Sequence, residues 1–101
     1  MNNIITDKMH ELIQLCTKYG VKSMYAFGSV CTDKFNNESD IDLLISFQGL
    51  SIEQYTDNYF ELHYKLEELF HRQIDLLTER SLSNPYFIKN IEQTKSLIYA
   101  A

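Results

Sequence analysis

The sequence predicts a mixed helix-and-strand domain built around one sheet, and three observations predict it. Long stretches carry apolar residues at helical spacing, as from Ile52 to Leu69. Short stretches rich in β-formers stand between them, bounded by glycine or polar turns, as Val21–Phe27 is by Gly20 and Gly28. Finally, 101 residues without a repeat or a linker suit a single domain over residues 1–101. Helices and strands that alternate in this way bury their apolar faces against a common sheet.

Ile5, Met9, Leu12, Ile13 and Cys16 share one helical face, and Gly20 stands where a left-handed C-cap would, so a first helix is expected over about Asn3–Tyr19. Val21–Phe27 reads as a strand. Cys31–Ser39 is polar around a single Phe35 and reads as a loop with room for one helical turn. Asp40–Phe47 alternates, placing Asp40, Asp42 and Leu44 on one side and Ile41, Leu43 and Ile45 on the other. Ser51-Ile52-Glu53-Gln54 fits a capping box, and Ile52, Tyr55, Tyr59, Leu62, Leu66 and Leu69 continue as a stripe to about Phe70. Arg72–Thr78 reads as a third strand around Asp75. Asn84-Pro85 opens a last helix through about Gln93, followed by the short apolar piece Leu97-Ile98-Tyr99.

Composition narrows the function. Nine Lys and Arg against fourteen Asp and Glu leave a formal charge of −5, and a phosphate-tracking surface needs the opposite balance, so direct nucleic-acid binding is not expected. Apolar runs are far too short for a membrane span, and no secretory signal is visible, so a soluble, cytoplasmic protein is expected. Cys16 and Cys31 lie without a CxxC or paired His, so neither zinc nor a disulfide is indicated, and Cys16, on a helical apolar stripe, reads as a buried thiol.

The informative stretch is Gly28-Ser29, ten residues, then Asp40-Ile41-Asp42. Two acids separated by one strand residue point to the same face, about 6.6 Å apart along the backbone. Their carboxylates can converge on a pair of divalent ions about 3.5–4 Å apart, the spacing used in phosphoryl transfer. Hard oxygen ligands suit Mg²⁺. Asp75, flanked by Ile74 and Leu76, must face water, a partner or a metal, because an isolated buried carboxylate is costly. On a neighbouring strand it could ligate a second ion and take a proton from an attacking hydroxyl; otherwise it is an exposed strand-end acid. Gly28 allows the backbone to turn and approach phosphate, and Ser29 adds a hydroxyl donor.

These residues resemble the minimal nucleotidyltransferases of the DNA polymerase beta-like superfamily, whose hallmark is Gly-Ser, ten residues, Asp-x-Asp and a third Asp on a later strand. Gly28, Ser29, Asp40, Asp42 and Asp75 fall on those positions, and Ser39-Asp40-Ile41-Asp42-Leu43-Leu44-Ile45 is a family-like string. The resemblance implies an α+β nucleotidyltransferase fold, a small mixed sheet with helices mainly on one face. It also implies ATP as nucleotide donor at Gly28 and Ser29, and Mg²⁺ (two ions) at Asp40, Asp42 and Asp75. Stand-alone members of this kind resemble antitoxins that transfer AMP to a tyrosine of a partner HEPN ribonuclease toxin, which implies a hetero-oligomer with such a toxin. The alternatives are an antitoxin that neutralises by binding alone, and nucleotidyl transfer to a small molecule. One departure is present: Cys31-Thr32-Asp33 stands where many members carry Ala-Arg-Gly, which removes a cation that would meet triphosphate.

Other polar residues have plainer readings. His63 is expected to pack beside the long helix stripe, and His10 and His71 to lie at the surface. Tyr55 and Tyr59 share a core-facing side of that helix. Ser39 either hydrogen-bonds an Asp at the nucleotide site or finishes the loop, while Lys34, Arg72 and Arg80 read as solvated charges.

Overall fold

A computed structural model describes Asn2–Ala101. The elements run α1 (Asn3–Thr6), α2 (Met9–Lys18), β1 (Val21–Phe27), a 3₁₀ turn at Gly28–Cys31, β2 (Ile41–Phe47), α3 (Ile52–Phe70), β3 (Ile74–Thr78), a second 3₁₀ turn at Glu79–Ser81, α4 (Pro85–Thr94) and β4 (Ser96–Ala100). The strands form one sheet in the order β3-β2-β1-β4. Pairing is antiparallel except between β2 and β3, which run parallel because α3 carries the chain back across the sheet. The expected α+β class with a mixed sheet is what the chain forms.

Local chemistry accounts for the boundaries. Ser51 caps α3 by accepting from the Gln54 N–H at 3.2 Å, and the Gln54 side chain accepts from the Ser51 N–H at 3.3 Å, completing the capping box. His71 ends α3 in the left-handed region at φ 53°. The Asn84 side chain caps α4, with Pro85 at its first position. Gly20 follows α2 at φ +72°, where an L side chain would be strained.

Three expectations change. The first helix is two: Asn2 caps a single turn, α1, and the chain kinks at Lys8 (φ −111°, ψ 15°) before α2 begins. The kink lets Ile5 reach the core while α2 turns Leu12, Cys16 and Tyr19 inward, so Ile13, expected on the stripe, is exposed. Ile52, expected to begin the α3 stripe, likewise lies outside it, 84% exposed in the first turn of α3. The terminal apolar piece is a full edge strand, β4, paired with β1.

The two sheet faces are covered unequally. Met24, Ala26, Ile41, Leu43, Ile45, Ile74 and Leu76 point to one face and pack with Ile5, Leu12, Cys16, Leu62 and Leu66 from the helices. On the other face α4 buries Ile91 against Phe27 and Leu44, with Tyr25, Leu77 and Leu82 around them. Helices therefore lie mainly on one face, as expected. Among the described residues no helix is long and apolar enough to cross a membrane.

Candidate active site

Strand register puts the expected acids in a row. Phe27, the last residue of β1, lies opposite Asp42 in β2, and Asp42 lies opposite Asp75 in β3. Directly opposed residues project to the same face, with strands about 4.8 Å apart. Asp42 and Asp75 thus stand together at the edge of the α4 face, where β1 ends and β2 and β3 begin. Gly28 is bound to this place twice over. Its φ is +71°, and a Cβ there would lie 3.3 Å from Asp42 Cγ and closer still to Oδ2. Only glycine lets the turn at Gly28–Cys31 leave β1 across the carboxylate.

The acids repel one another. Asp42 is half-buried and its carboxyl is pushed up to about 6, first by burial, then by a side-chain hydrogen bond with Asp75, then by the charges of Asp75 and Asp40. Asp75 is exposed. Asp40 sits in the loop one residue before β2 and acts on Asp42 through its charge. Among the described residues no three His, Cys, Asp or Glu side chains are gathered closely enough to hold a metal ion. Asp42 and Asp75 face each other in register, and Asp40 reaches Asp42 by its charge from the loop before β2. The ion pairs among the described residues lie elsewhere, between Lys65 and Glu68, Lys95 and Glu92, and His63 and Glu67. Hard carboxylate oxygens in mutual repulsion, with no side-chain cation to relieve them, fit Mg²⁺ in donor chemistry.

The loop before Asp40 is tied down by Arg72, expected as a solvated charge. Arg72 donates to the carbonyls of Asn36 (3.2 Å) and Ser39 (2.8 Å), and its guanidinium lies 4.7 Å from the Phe35 ring centroid. A cation after a helix carries no motif, and only the fold brings it to this loop. Ser39 Oγ accepts from the Asn36 N–H at 3.1 Å, so in this arrangement it finishes the loop. Thr32, standing in the Ala-Arg-Gly segment's place, donates its hydroxyl to the Ser29 carbonyl at 2.9 Å and closes the turn that follows the glycine.

His63 does more than pack, since its Nε2 donates to the Ile74 carbonyl at 2.8 Å; His10 and His71 are exposed as expected. Tyr55 packs edge-on against Phe47, and Arg80, exposed as expected, lies over its ring. Burial, with lesser contributions from Tyr55 and Asp75, raises the Tyr59 hydroxyl and keeps it a donor. Burial pushes the Cys16 thiol up to about 12, which makes it inert as a nucleophile. A cavity of about 250 Å³ lined by Lys22, Gln48, Tyr55 and Arg80 lies at the opposite ends of β2 and β3, away from the acids. The acid row is open instead, bordered by Phe27 and the Phe87 ring set edge-on to it at 6.2 Å.

Comparison with known proteins agrees with this geometry. Residues 10–101 match the family described as polymerase beta, nucleotidyltransferase. Two proteins of Methanocaldococcus jannaschii, both provisionally named protein adenylyltransferases, are 39% identical over 82 residues (81% of this chain, 79% of theirs) and 38% identical over 87 residues (85% and 83%). Among solved structures, a provisionally assigned minimal nucleotidyltransferase shares the fold at TM-score 0.72 and 24% identity, with 95% of each chain covered. A chain from a toxin–antitoxin complex with AMP-PNP aligns at TM-score 0.71 and 21% identity, over 92% of this chain and 73% of that one. Another, from a tri-AMPylated Shewanella oneidensis HEPN toxin in complex with its MNT antitoxin, aligns at 0.66 and 19%, over 95% and 72%. A match that runs through both strands carrying the acids, with relatives at nearly two-fifths identity, makes this chain a member of the polymerase beta nucleotidyltransferase family.

Proposed function

We propose that this chain is a Mg²⁺-dependent protein adenylyltransferase that moves AMP from ATP to a tyrosine of a HEPN toxin partner, silencing it as an antitoxin. The observation that carries the reading is the row in which Gly28 crosses over Asp42 while Asp42 faces Asp75 in register. The protein-adenylyltransferase names of the Methanocaldococcus jannaschii relatives and the AMPylated toxin in a structure of the same fold support it.

In this reading Asp40, Asp42 and Asp75 would hold Mg²⁺, two ions by the usual logic of phosphoryl transfer, and Mg²⁺ supplies neutralisation of the phosphate charges and of the leaving pyrophosphate. Gly28 and Ser29 bind the triphosphate, the glycine by close backbone approach and the serine by its hydroxyl. Asp75, the more exposed of the facing pair, accepts the proton of the tyrosine hydroxyl. The tyrosine oxygen then bonds to the α-phosphorus, the α–β phosphoanhydride bond breaks, and pyrophosphate departs. Arg72 fixes the loop that presents Asp40, and the exposure of Asp75 leaves the acid row accessible to a side chain carried on another protein. The whole chain acts as one nucleotidyltransferase domain in the cytoplasm, without direct nucleic-acid contact.

The test is to incubate the purified chain with its HEPN partner, ATP and Mg²⁺ and to weigh the partner by intact mass spectrometry. Whole AMP additions at tyrosine are expected, absent when Asp40 and Asp42 are both replaced by Asn. A second reading, neutralisation by binding alone, is favoured by Thr32-Asp33 in place of Arg-Gly. It requires the Asp40→Asn, Asp42→Asn chain to protect cells from the toxin as well as the parent does, with no AMP found on the toxin. Loss of protection by a folded, toxin-bound double variant eliminates it.

A further inference from the structure

β3 is an edge strand. Asp75 and Leu77 direct their backbone groups toward β2, and the Ile41 N–H donates to the Gln73 carbonyl at 3.2 Å in the same alternation. The backbone groups of Ile74 and Leu76 therefore point outward, where no strand receives them. Three α3 side chains do. Tyr59 donates its hydroxyl to the Leu76 carbonyl at 2.6 Å, His63 Nε2 donates to the Ile74 carbonyl at 2.8 Å, and Glu67 Oε2 accepts from the Ile74 N–H at 3.1 Å.

The spacing explains why a helix can do this. Tyr59, His63 and Glu67 are four residues apart, so they fall on one face with a rise of about 6.0 Å between them. Outward carbonyls two strand residues apart are separated by about 6.6 Å, nearly the same interval. Covering an edge needs no such fidelity, since lysines or a proline suffice to block it. Here the two gripped residues are the ones on either side of Asp75.

We propose that Tyr59, His63 and Glu67 are positioning residues for Asp75, clamping the backbone before and after it so that its carboxylate stays beside that of Asp42. The proposal rests on the reading of these acids as Mg²⁺ ligands. A displaced ligand carboxylate weakens metal binding by about 10–100-fold, the usual cost of losing an outer partner.

The experiment is calorimetric titration of Mg²⁺, with a non-hydrolysable ATP analogue present, into four chains: the parent, Asp75→Asn, His63→Ala, and the double variant. His63→Ala is expected to weaken Mg²⁺ by about tenfold or more alone and to add nothing in the Asp75→Asn background. His63→Gln, which restores a donor, should bind within about threefold of the parent on the same scale. Equal weakening by His63→Ala in both backgrounds, or none in the parent, overturns the proposal. Amide exchange at Asp75 and Leu77 supplies an independent reading. In folded His63→Ala and Tyr59→Phe chains it should quicken selectively, with β1 and β4 unchanged. If Asp75→Asn leaves Mg²⁺ binding intact, the metal reading fails by itself, and uniform or absent change in exchange then also overturns the clamp.

Discussion

The two faces of the sheet are made from the same alternating strands yet do different work. One is closed by α2 and α3 over side chains with no accessible surface, among them Met24, Ile41, Leu43, Ile45, Leu62 and Leu66. The other is closed only where α4 sets Ile91 on Phe27 and Leu44, and just beyond that small cluster stand Asp42 and Asp75. Carboxylates cannot sit inside a sealed face without a large desolvation cost, so the incompletely covered face is the one able to present them to a substrate. The contrast separates stability from chemistry, and substitutions on each face should separate them again.

The largest effect expected is on the open face. Asp42→Asn should lower AMP transfer by about a thousandfold or more, comparable to losing a principal charge-stabilising group. The same change removes repulsion, so the Mg²⁺-free protein should become more stable at pH 7.5, by on the order of 1 kcal/mol after allowance for solvent screening. Urea unfolding of both chains beside the transfer assay checks the pair of opposite signs. On the sealed face Leu66→Ala should cost about 2–5 kcal/mol by cavity formation, whereas Ile91→Ala, in a small cluster able to relax, should fall near about 2 kcal/mol. Chemical denaturation of both variants orders the two faces.

Gly28→Ala lies between the faces. Strain at positive φ should cost about 1–2 kcal/mol in unfolding, and the new methyl would displace the Asp42 carboxylate, reducing transfer even at temperatures where the protein is folded. The smallest effect is on pH dependence. With its carboxyl raised to about 6, Asp42 holds a proton in the folded chain over a range where the unfolded chain has released it. Stability of the Mg²⁺-free protein should therefore fall as pH rises from about 4 through about 6, by on the order of 1 kcal/mol, and Asp42→Asn should flatten that slope. Mg²⁺ stabilisation should run the other way, growing over the same range as the competing proton leaves. Thermal melts across pH with and without Mg²⁺ read both trends.

Much of this was legible in the chain. Regular alternation located β2, Asn84-Pro85 located α4, and the Ser51–Gln54 box located the start of α3, because each signal is local. The order of the acids and their distance from Gly28-Ser29 gave the candidate site for the same reason. What escaped depends on distant partners. Ser96–Ala100 becomes a strand because β1 offers a free edge some seventy residues earlier in the chain, and five residues carry little pattern of their own. The kink at Lys8 is invisible to periodicity, since Ile5 keeps an inward place on either path. Arg72 and His63 gain their roles only when α3 turns back along β3, which brings one to the loop carrying Asp40 and the other to the strand carrying Asp75. Of the three acids, strand register sets Asp42 and Asp75 face to face, and Asp40 acts on Asp42 from the preceding loop.

The proposed chemistry requires Asp42 and Asp75 to take part in holding Mg²⁺ at this end of the sheet. Mn²⁺ in place of Mg²⁺, titrated substoichiometrically into ¹⁵N-labelled protein with a non-hydrolysable ATP analogue, broadens amide signals near wherever it binds. Broadening confined to residues 28–30, 40–43 and 74–76, and lost in Asp42→Asn, is the predicted result. Broadening centred instead on the acidic surface of α3 near Glu61 and Glu68, or unchanged in Asp42→Asn, would contradict it.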